Sequence, residues 1–324
     1  MSFYFAQGRS YRKCAVIGCC TLGAAVAHAL LQYCSTDALV LIDPDPKCAD
    51  SLAADLHCAM PFYGKTDVWA GDYHDLAECS LIVLALGHVN LHEDAHGDLA
   101  AMNIPIIKKA AGEIAANHQD AVILVLGNPN EILTHTYLNC FGASAQKIIG
   151  IGTLPQTICL RSLIANYLGA DVRQVDAMIL GQSDGHGVFF AENVRVNGIE
   201  IQSYLQSMGR SFDGHIIQSL FEDTMHAFAR AENRTGRAEY AIARSCAIIA
   251  SCIFDDTGTL LPLCVHSDGW QDLLNVCMTL PCKLGKHGAR VLSESTVPAQ
   301  ELDLLRRTAA RLHARIMDAD SMHI

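Results

Sequence analysis

At 324 residues, 51% of them hydrophobic and only 18% charged, the chain is long enough for two packed domains and too apolar for a disordered polymer. A formal net charge of −11 excludes the basic surface that neutralises nucleic-acid phosphates. No stretch has the uncharged length of a membrane span: the most apolar, residues 14–33, is broken by Gly18, Gly23, His28 and Gln32.

The N-terminal MSFYFAQGRSYRK has neither the apolar core nor the cleavage site of a secretory signal, and none of the 14 cysteines forms a C-x-x-C pair. The cysteines are therefore expected to be reduced, small hydrophobes in the core of a cytoplasmic protein. The apolar composition also permits assembly into a homo-oligomer.

In chain order, CAVIG (14–18) is a short apolar run that a glycine turn and a helical pattern follow, through Leu31. ALVLID (38–43) is a second run and ends on an acid. SLIVLALG (80–87) and AVILVLGNPN (121–130) flank a helical stretch at 98–117, and KIIGIG (147–152) is a fifth run. Continuous β-rich runs alternating with helices predict a doubly wound parallel sheet covered on both faces, because parallel strands need crossover helices. The second half changes character. VRVNGIEI (194–201) reads as a hairpin around an Asn-Gly turn, and long helical patterns occupy 214–232, 238–253 and 298–317. The expected division is a Rossmann-type domain over 1–150 and a mixed α+β domain over 151–324.

Ligands of such sheets sit at the carboxyl ends of the strands. Gly18, Gly23, Asp43, Gly87 and Asn128 all fall there. The first turn reads Gly18-x-Cys20-x-x-Gly23, with Asp43 25 residues after Gly18. A dinucleotide fingerprint has glycine at the middle position so that backbone can approach the pyrophosphate, and Cys20 puts a side chain there. The strand–turn–helix context and Asp43 favour retained binding at reduced affinity, and Asp43 favours NAD over NADP. A βαβ turn that binds no dinucleotide is the alternative.

Two further patterns carry chemistry on paper. HEDAH (92–96) fits H-E-x-x-H, in which His92 and His96 would share a helix face as zinc ligands, but no clear third ligand follows and a histidine-rich solvated loop fits as well. The loop in MILGQSDGHG (178–187) offers Ser183, Asp184 and His186 after a strand-like run.

Several blocks, in order and nearly end to end, resemble the L-lactate/L-malate dehydrogenase family. DLHCAMPF is similar to D-L-x-H-x-x-P-F, AGDYHDLAECSLIVLALG to A-G-D-Y-x-D-C-x-D-A-D-L-V-V-I-T-A-G, and GNPNEILTH to S-N-P-V-D-I-L-T. IGIGTLPQTICLR is similar to I-G-S-G-T-x-L-D-T-A-R-F-R, and LPCKLGKHGA to V-P-x-x-L-G-x-x-G. ILGQSDGHGVFFAENVRVNGIEI lies without gaps on I-L-G-E-H-G-D-S-x-V-P-V-W-S-x-x-x-V-x-G-V.

The resemblance implies that family's fold, NAD as cofactor and a dimer or tetramer. It also places the family's functional positions on unexpected residues. The catalytic histidine falls on Ser183, its aspartate partner on Gln156, and the arginine that clamps the substrate carboxylate on Cys159. The mobile-loop arginine falls on His96 and the substrate-selecting residue on Asn90; Asn128, which contacts cofactor and substrate, is in place.

A His–Asp pair donates a proton to the carbonyl of a 2-oxo acid, and an unassisted serine hydroxyl does not. The implied function is an NAD(H)-binding member with impaired or lost 2-hydroxyacid turnover, a pseudoenzyme acting as a sensor or as a subunit. Two alternatives stand beside it. One is an active oxidoreductase on an altered carbonyl substrate, with His186 or His96 as acid–base group. The other is a structural subunit without cofactor. Cys159 at a helix start, with His96, is a further candidate for a nucleophile–base pair.

Overall fold

The computed structural model describes residues 11–59, 66–87, 99–118, 120–141, 144–235, 238–292, 297 and 299–321. The first half runs β1 (Lys13–Ile17), α1 (Thr21–Tyr33), β2 (Ala38–Ile42), α2 (Pro46–Ala59), β3 (Asp67–Ala70), β4 (Cys79–Leu84), α3 (Leu99–Asn117), β5 (Val122–Val125), α4 (Asn130–Phe141) and β6 (Ile148–Gly150). The second half adds α5 (Leu154–Leu168), β7 (Val175–Asp176), β8 (Leu180–Gly181), β9 (Gly187–Val188), β10 (Arg195–Val196) and β11 (Ile199–Glu200). It continues through α6 (Ile201–Ser207), α7 (Gly214–Thr235), α8 (Glu239–Phe254), β12 (Thr259–His266), β13 (Cys277–Gly285), β14 (Gly288–Val291) and α9 (Ala299–Ser321).

The strands read as continuous apolar runs because helices cover both faces: every residue of β1, β2 and β5 is buried. Their order is β3-β2-β1-β4-β5-β6, all parallel, so the direction of winding reverses between β1 and β4. That reversal opens a crevice beyond the carboxyl ends of β1 and β4, where Gly18 and Gly87 lie. The five expected runs are five of the six parallel strands. The edge strand β3, only four residues long and partly exposed, has no comparable apolar run to announce it.

The sheet does not stop at residue 150. Cys264 of β12 pairs antiparallel with Gly150 of β6, β13 pairs with β12, and β8 pairs with β13, so one sheet continues into the second half. A separate core forms beside it from Leu160, Ile164, Val175, Ile179, Phe189, Val196 and Ile217. The predicted hairpin is β10–β11, with Asn197 and Gly198 both at positive φ (53° and 76°), the geometry of the tight primed turn. Among the described residues no helix is long and apolar enough to cross a membrane. All 14 cysteines are free thiols.

Candidate active site

The crevice is built from the first βα turn outward. Gly18 has φ +100°, and a Cβ there would lie 2.6 Å from the Ala85 carbonyl oxygen of the next strand's end. A Cβ on Gly23 would lie 1.7 Å from the Gly18 carbonyl oxygen, so α1 rests directly on the turn. No side chain caps the N-terminus of α1, whose first-turn N–H groups and dipole favour an anion.

Cys20 occupies the N-cap and is exposed, leaving the turn open on the crevice side. Asp43, at the end of β2, accepts from the Cys19 backbone N–H (2.6 Å) and from the Asp45 N–H (2.9 Å). Each carboxylate oxygen retains a lone pair for a ribose hydroxyl. A closely seated glycine turn, an uncapped helix start and an acid at the second strand's end fit a dinucleotide.

On the other side of the crevice, Gly87 (φ +117°) sits against the fully buried Asn103. Asn103 Nδ2 donates to the Asn128 carbonyl oxygen at 2.7 Å, tying α3 to the end of β5. Asn128 itself is partly exposed. In the sequence Asn103 is a polar residue on the apolar face of a helix, a signal that by itself does not distinguish a buried tether from an exposed side chain.

Glu131, in the first turn of α4, is the central surprise. Its side chain is 1% exposed, and it holds the residue at the catalytic position of the resemblance. The Ser183 backbone N–H donates to Glu131 Oε1 at 2.7 Å, and the Ser183 hydroxyl and Glu131 Oε2 are 3.2 Å apart. Burial, and next the negative charge of Asp184, push the Glu131 carboxyl up to about 7. Its own backbone N–H and the two Ser183 bonds oppose that shift without reversing it.

Position 183 is fixed from below by α5. Thr153 Oγ1 donates to the Ile179 carbonyl, and the Ile179 N–H donates to Thr157 Oγ1 at 3.1 Å, so the helix grips the strand that leads to Ser183. Between those threonines, Gln156 Nε2 donates to the Ser183 carbonyl oxygen at 3.2 Å, while its buried Oε1 has no protein partner among the described residues.

Cys159, one turn further, is half-buried beside Thr224 of α7. Burial raises its thiol, which works against the nucleophile–base pair considered for it with His96. Arg161 faces away from Ser183, as its position two residues along the helix implies: its Nε donates to the Ala177 carbonyl (2.8 Å) and its Nη2 to Asp176 (2.9 Å).

The β8–β9 register is regular, Leu180 opposite Val188 and Gly181 opposite Gly187, so residues 182–186 form a simple loop with no bulge after Gly181. Asp184 pairs with Arg315 of α9 at 2.6 Å. His186 is exposed and lines a surface groove of about 380 Å³ with Gln218, Phe221, Arg307 and Arg311, a groove that includes neither Ser183 nor Asn128. Asn90, His92 and His96 lie outside the described residues. Among the residues that are described, no group of His, Cys, Asp and Glu side chains is placed to hold a metal ion.

A doubly wound sheet with this crevice, joined to a second unit whose β8–β9 loop is tied to α4, defines a dinucleotide-binding protein of two parts. The chain matches the family model for the lactate/malate dehydrogenase NAD binding domain over residues 12–150. It matches that for the lactate/malate dehydrogenase alpha/beta C-terminal domain over residues 156–322. It belongs to the lactate/malate dehydrogenase family, and its first half is that family's NAD-binding domain.

Among proteins it is similar to, an L-lactate dehydrogenase of Treponema denticola is 30% identical over 306 residues, 93% of this chain and 96% of that protein. One of Priestia megaterium is 29% identical over 301 residues, 93% and 94% of the two chains. A lactate dehydrogenase structure from a Medee basin deep-sea metagenome library superposes with a TM-score of 0.88 at 26% identity, covering 95% of this chain and 99% of that one.

Proposed function

We propose that the protein binds NAD(H) through residues 1–150 and does not interconvert 2-hydroxy and 2-oxo acids as its relatives' names describe. The cofactor side of the reading is supported by the Gly18–Gly23 turn, the uncapped α1 and Asp43, with Gly87 and Asn128 across the crevice. Bound NAD(H) would supply hydride transfer, and residues 151–324 would present the face on which a second ligand sits.

The observation that carries the loss of 2-oxo-acid chemistry is the company Ser183 keeps. A 2-oxo acid needs a cation for its carboxylate, worth about 1.5–3 kcal/mol for each charge-assisted bond. Here the clamp position is the half-buried Cys159, Arg161 is engaged at β7, and the nearest side-chain partner of Ser183 is the acid Glu131. A buried aspartate at 156 without its histidine would be an unpaired charge, and the neutral Gln156 avoids that cost. A soluble, cytoplasmic homo-oligomer, as the cysteine usage and the resemblance respectively imply for location and assembly, completes the reading.

The test is a titration of purified protein with NADH, followed by NADH oxidation with pyruvate and oxaloacetate. Saturable NADH binding with no 2-oxo-acid turnover supports the reading. Turnover at ordinary enzyme rates refutes the loss, and no binding favours the cofactor-free subunit.

A further inference from the structure

Ser183 is not an unassisted hydroxyl. Its backbone N–H and Oγ face the two oxygens of one carboxyl group, at 2.7 Å to Oε1 and 3.2 Å to Oε2. This arrangement serves two protonation states of Glu131. In the neutral acid, Oε1 accepts the Ser183 N–H while Oε2–H donates to Oγ, which leaves the serine O–H free to donate outward. In the carboxylate, the serine O–H turns back to Oε2. The partly exposed Ser183 thus connects a fully buried acid, three residues along the chain from Asn128, to the surface.

We infer that Glu131 and Ser183 form a proton-donating pair for the reduction of a neutral carbonyl compound, an aldehyde or ketone without an adjoining carboxylate. The proposal rests on the NAD(H) reading above and deepens it. Bound NADH would supply the hydride that the carbonyl carbon needs, with NAD⁺ as the oxidised product. As the carbonyl π pair moves onto oxygen, that oxygen takes the Ser183 Oγ proton, and Oγ takes the Oε2 proton of Glu131. The products are an alcohol and a Glu131 carboxylate, which regains its proton from water through Ser183. Ser183 touches the reacting oxygen, and Glu131 acts through it.

The surroundings select the substrate class. Among the described residues, the titratable groups that act on Glu131 or feel its charge are Asp184 across the loop and the buried thiols of Cys264 on β12 and Cys277 on β13, none of them cationic. Arg315 is tied to Asp184, and Cys159 offers no charge where a substrate carboxylate would sit. Among the described residues no cation is placed against Ser183 to receive a substrate carboxylate, whereas a neutral carbonyl needs only the hydrogen-bond donor that Ser183 supplies. Burial, with the charge of Asp184, places the Glu131 proton near pH 7, so both states are populated under ordinary conditions.

The experiment uses the full chain, with Glu131→Gln and Ser183→Ala beside the parent. NADH binding is titrated first, and then NADH oxidation is followed with a panel of aliphatic and aromatic aldehydes and ketones from pH 5.5 to 9. The parent is expected to reduce neutral carbonyls at a rate that falls as pH rises through about 7. Glu131→Gln should bind NADH within twofold of the parent but turn over roughly 10²–10⁴-fold more slowly, with a flat pH profile.

A second readout needs no cofactor: the parent-minus-Glu131→Gln infrared difference should show a protonated carboxyl stretch that disappears through the same pH range. A panel that stays silent while NADH binds overturns the proposal. So does a Glu131→Gln variant as fast as the parent, or a carboxyl already ionised at pH 5.5. Failure to bind NADH refutes the NAD(H) reading and the carbonyl step with it, and the titration identifies that failure separately.

Discussion

Replacing Glu131 by Gln should change how stability depends on pH, with a sign that the buried carboxyl dictates. Unfolded, the carboxyl titrates near its ordinary value of 4.5; folded, burial and Asp184 raise it to about 7. Its folded-state pKa is the higher one, so between the two values the native state binds the proton and the unfolded state does not. Stability from this group is therefore complete below pH 4.5 and falls as pH rises toward 7. A shift of that size corresponds to about 3 kcal/mol across the window.

Gln keeps both Ser183 bonds, its Oε1 accepting the Ser183 N–H and one Nε2 hydrogen donating to Ser183 Oγ; its second N–H gains no partner among the described residues, a cost that does not change with pH and so leaves the pH dependence intact. Urea unfolding of parent and variant at pH 5 and pH 8 measures the effect. The variant should gain about 2.5 kcal/mol on the parent between those conditions, because at pH 5 the unfolded carboxyl is already mostly ionised. Glu301, also raised to about 7 by burial, is present in both proteins and cancels in the difference. Parallel curves would mean that Glu131 ionises like an exposed acid, and the reasoning from its burial would be wrong.

Further consequences follow from other sites. Cys20→Gly removes the side chain at the middle position of the turn and should tighten NADH binding by about five- to tenfold, measured by fluorescence titration. His186→Ala, in an exposed loop facing the α7–α9 groove, should leave NADH affinity unchanged and alter stability by less than about 0.5 kcal/mol. Thr157→Val strips the buried acceptor from the Ile179 N–H and should cost about 1–3 kcal/mol in urea unfolding. Ser183→His alone should not restore pyruvate reduction, because Gln156 and Cys159 still supply neither the imidazolium's partner nor the carboxylate clamp.

Much of the first half was legible because parallel strands are buried on both faces and so appear as unbroken apolar runs, β1, β2, β4, β5 and β6 among them. Where burial is partial the signal fades, as in β3, and where strands have only two residues, as in β7 to β9, there is no period to read. The continuation of the sheet past residue 150 rests on one antiparallel pairing between Gly150 and Cys264, a long-range contact that no local pattern encodes. Gly18, Gly87 and Asp43 were legible at their strand ends because glycine at positive φ and an acid that receives a turn's N–H are local requirements. The regular register of the β8–β9 loop likewise matched its ungapped motif.

Glu131 was not recognised, although an acid stands at that place in the motif GNPNEILTH. A carboxylate in the first turn of a helix ordinarily faces water, and only the tertiary position of the β8–β9 loop buries it against Ser183. For the same reason Ser183 read as an isolated hydroxyl. The contact that joins them spans 52 positions of sequence, beyond the reach of any local pattern.

The most direct test of the central claim, a retained NAD(H) fold without 2-oxo-acid chemistry, is the rate of NADH oxidation with pyruvate and oxaloacetate on protein whose NADH occupancy has been verified by titration. The expected result is saturable NADH binding and no oxidation above background with either acid. Robust turnover of either one, undiminished in Glu131→Gln, would contradict both the lost clamp and the reassigned proton donor.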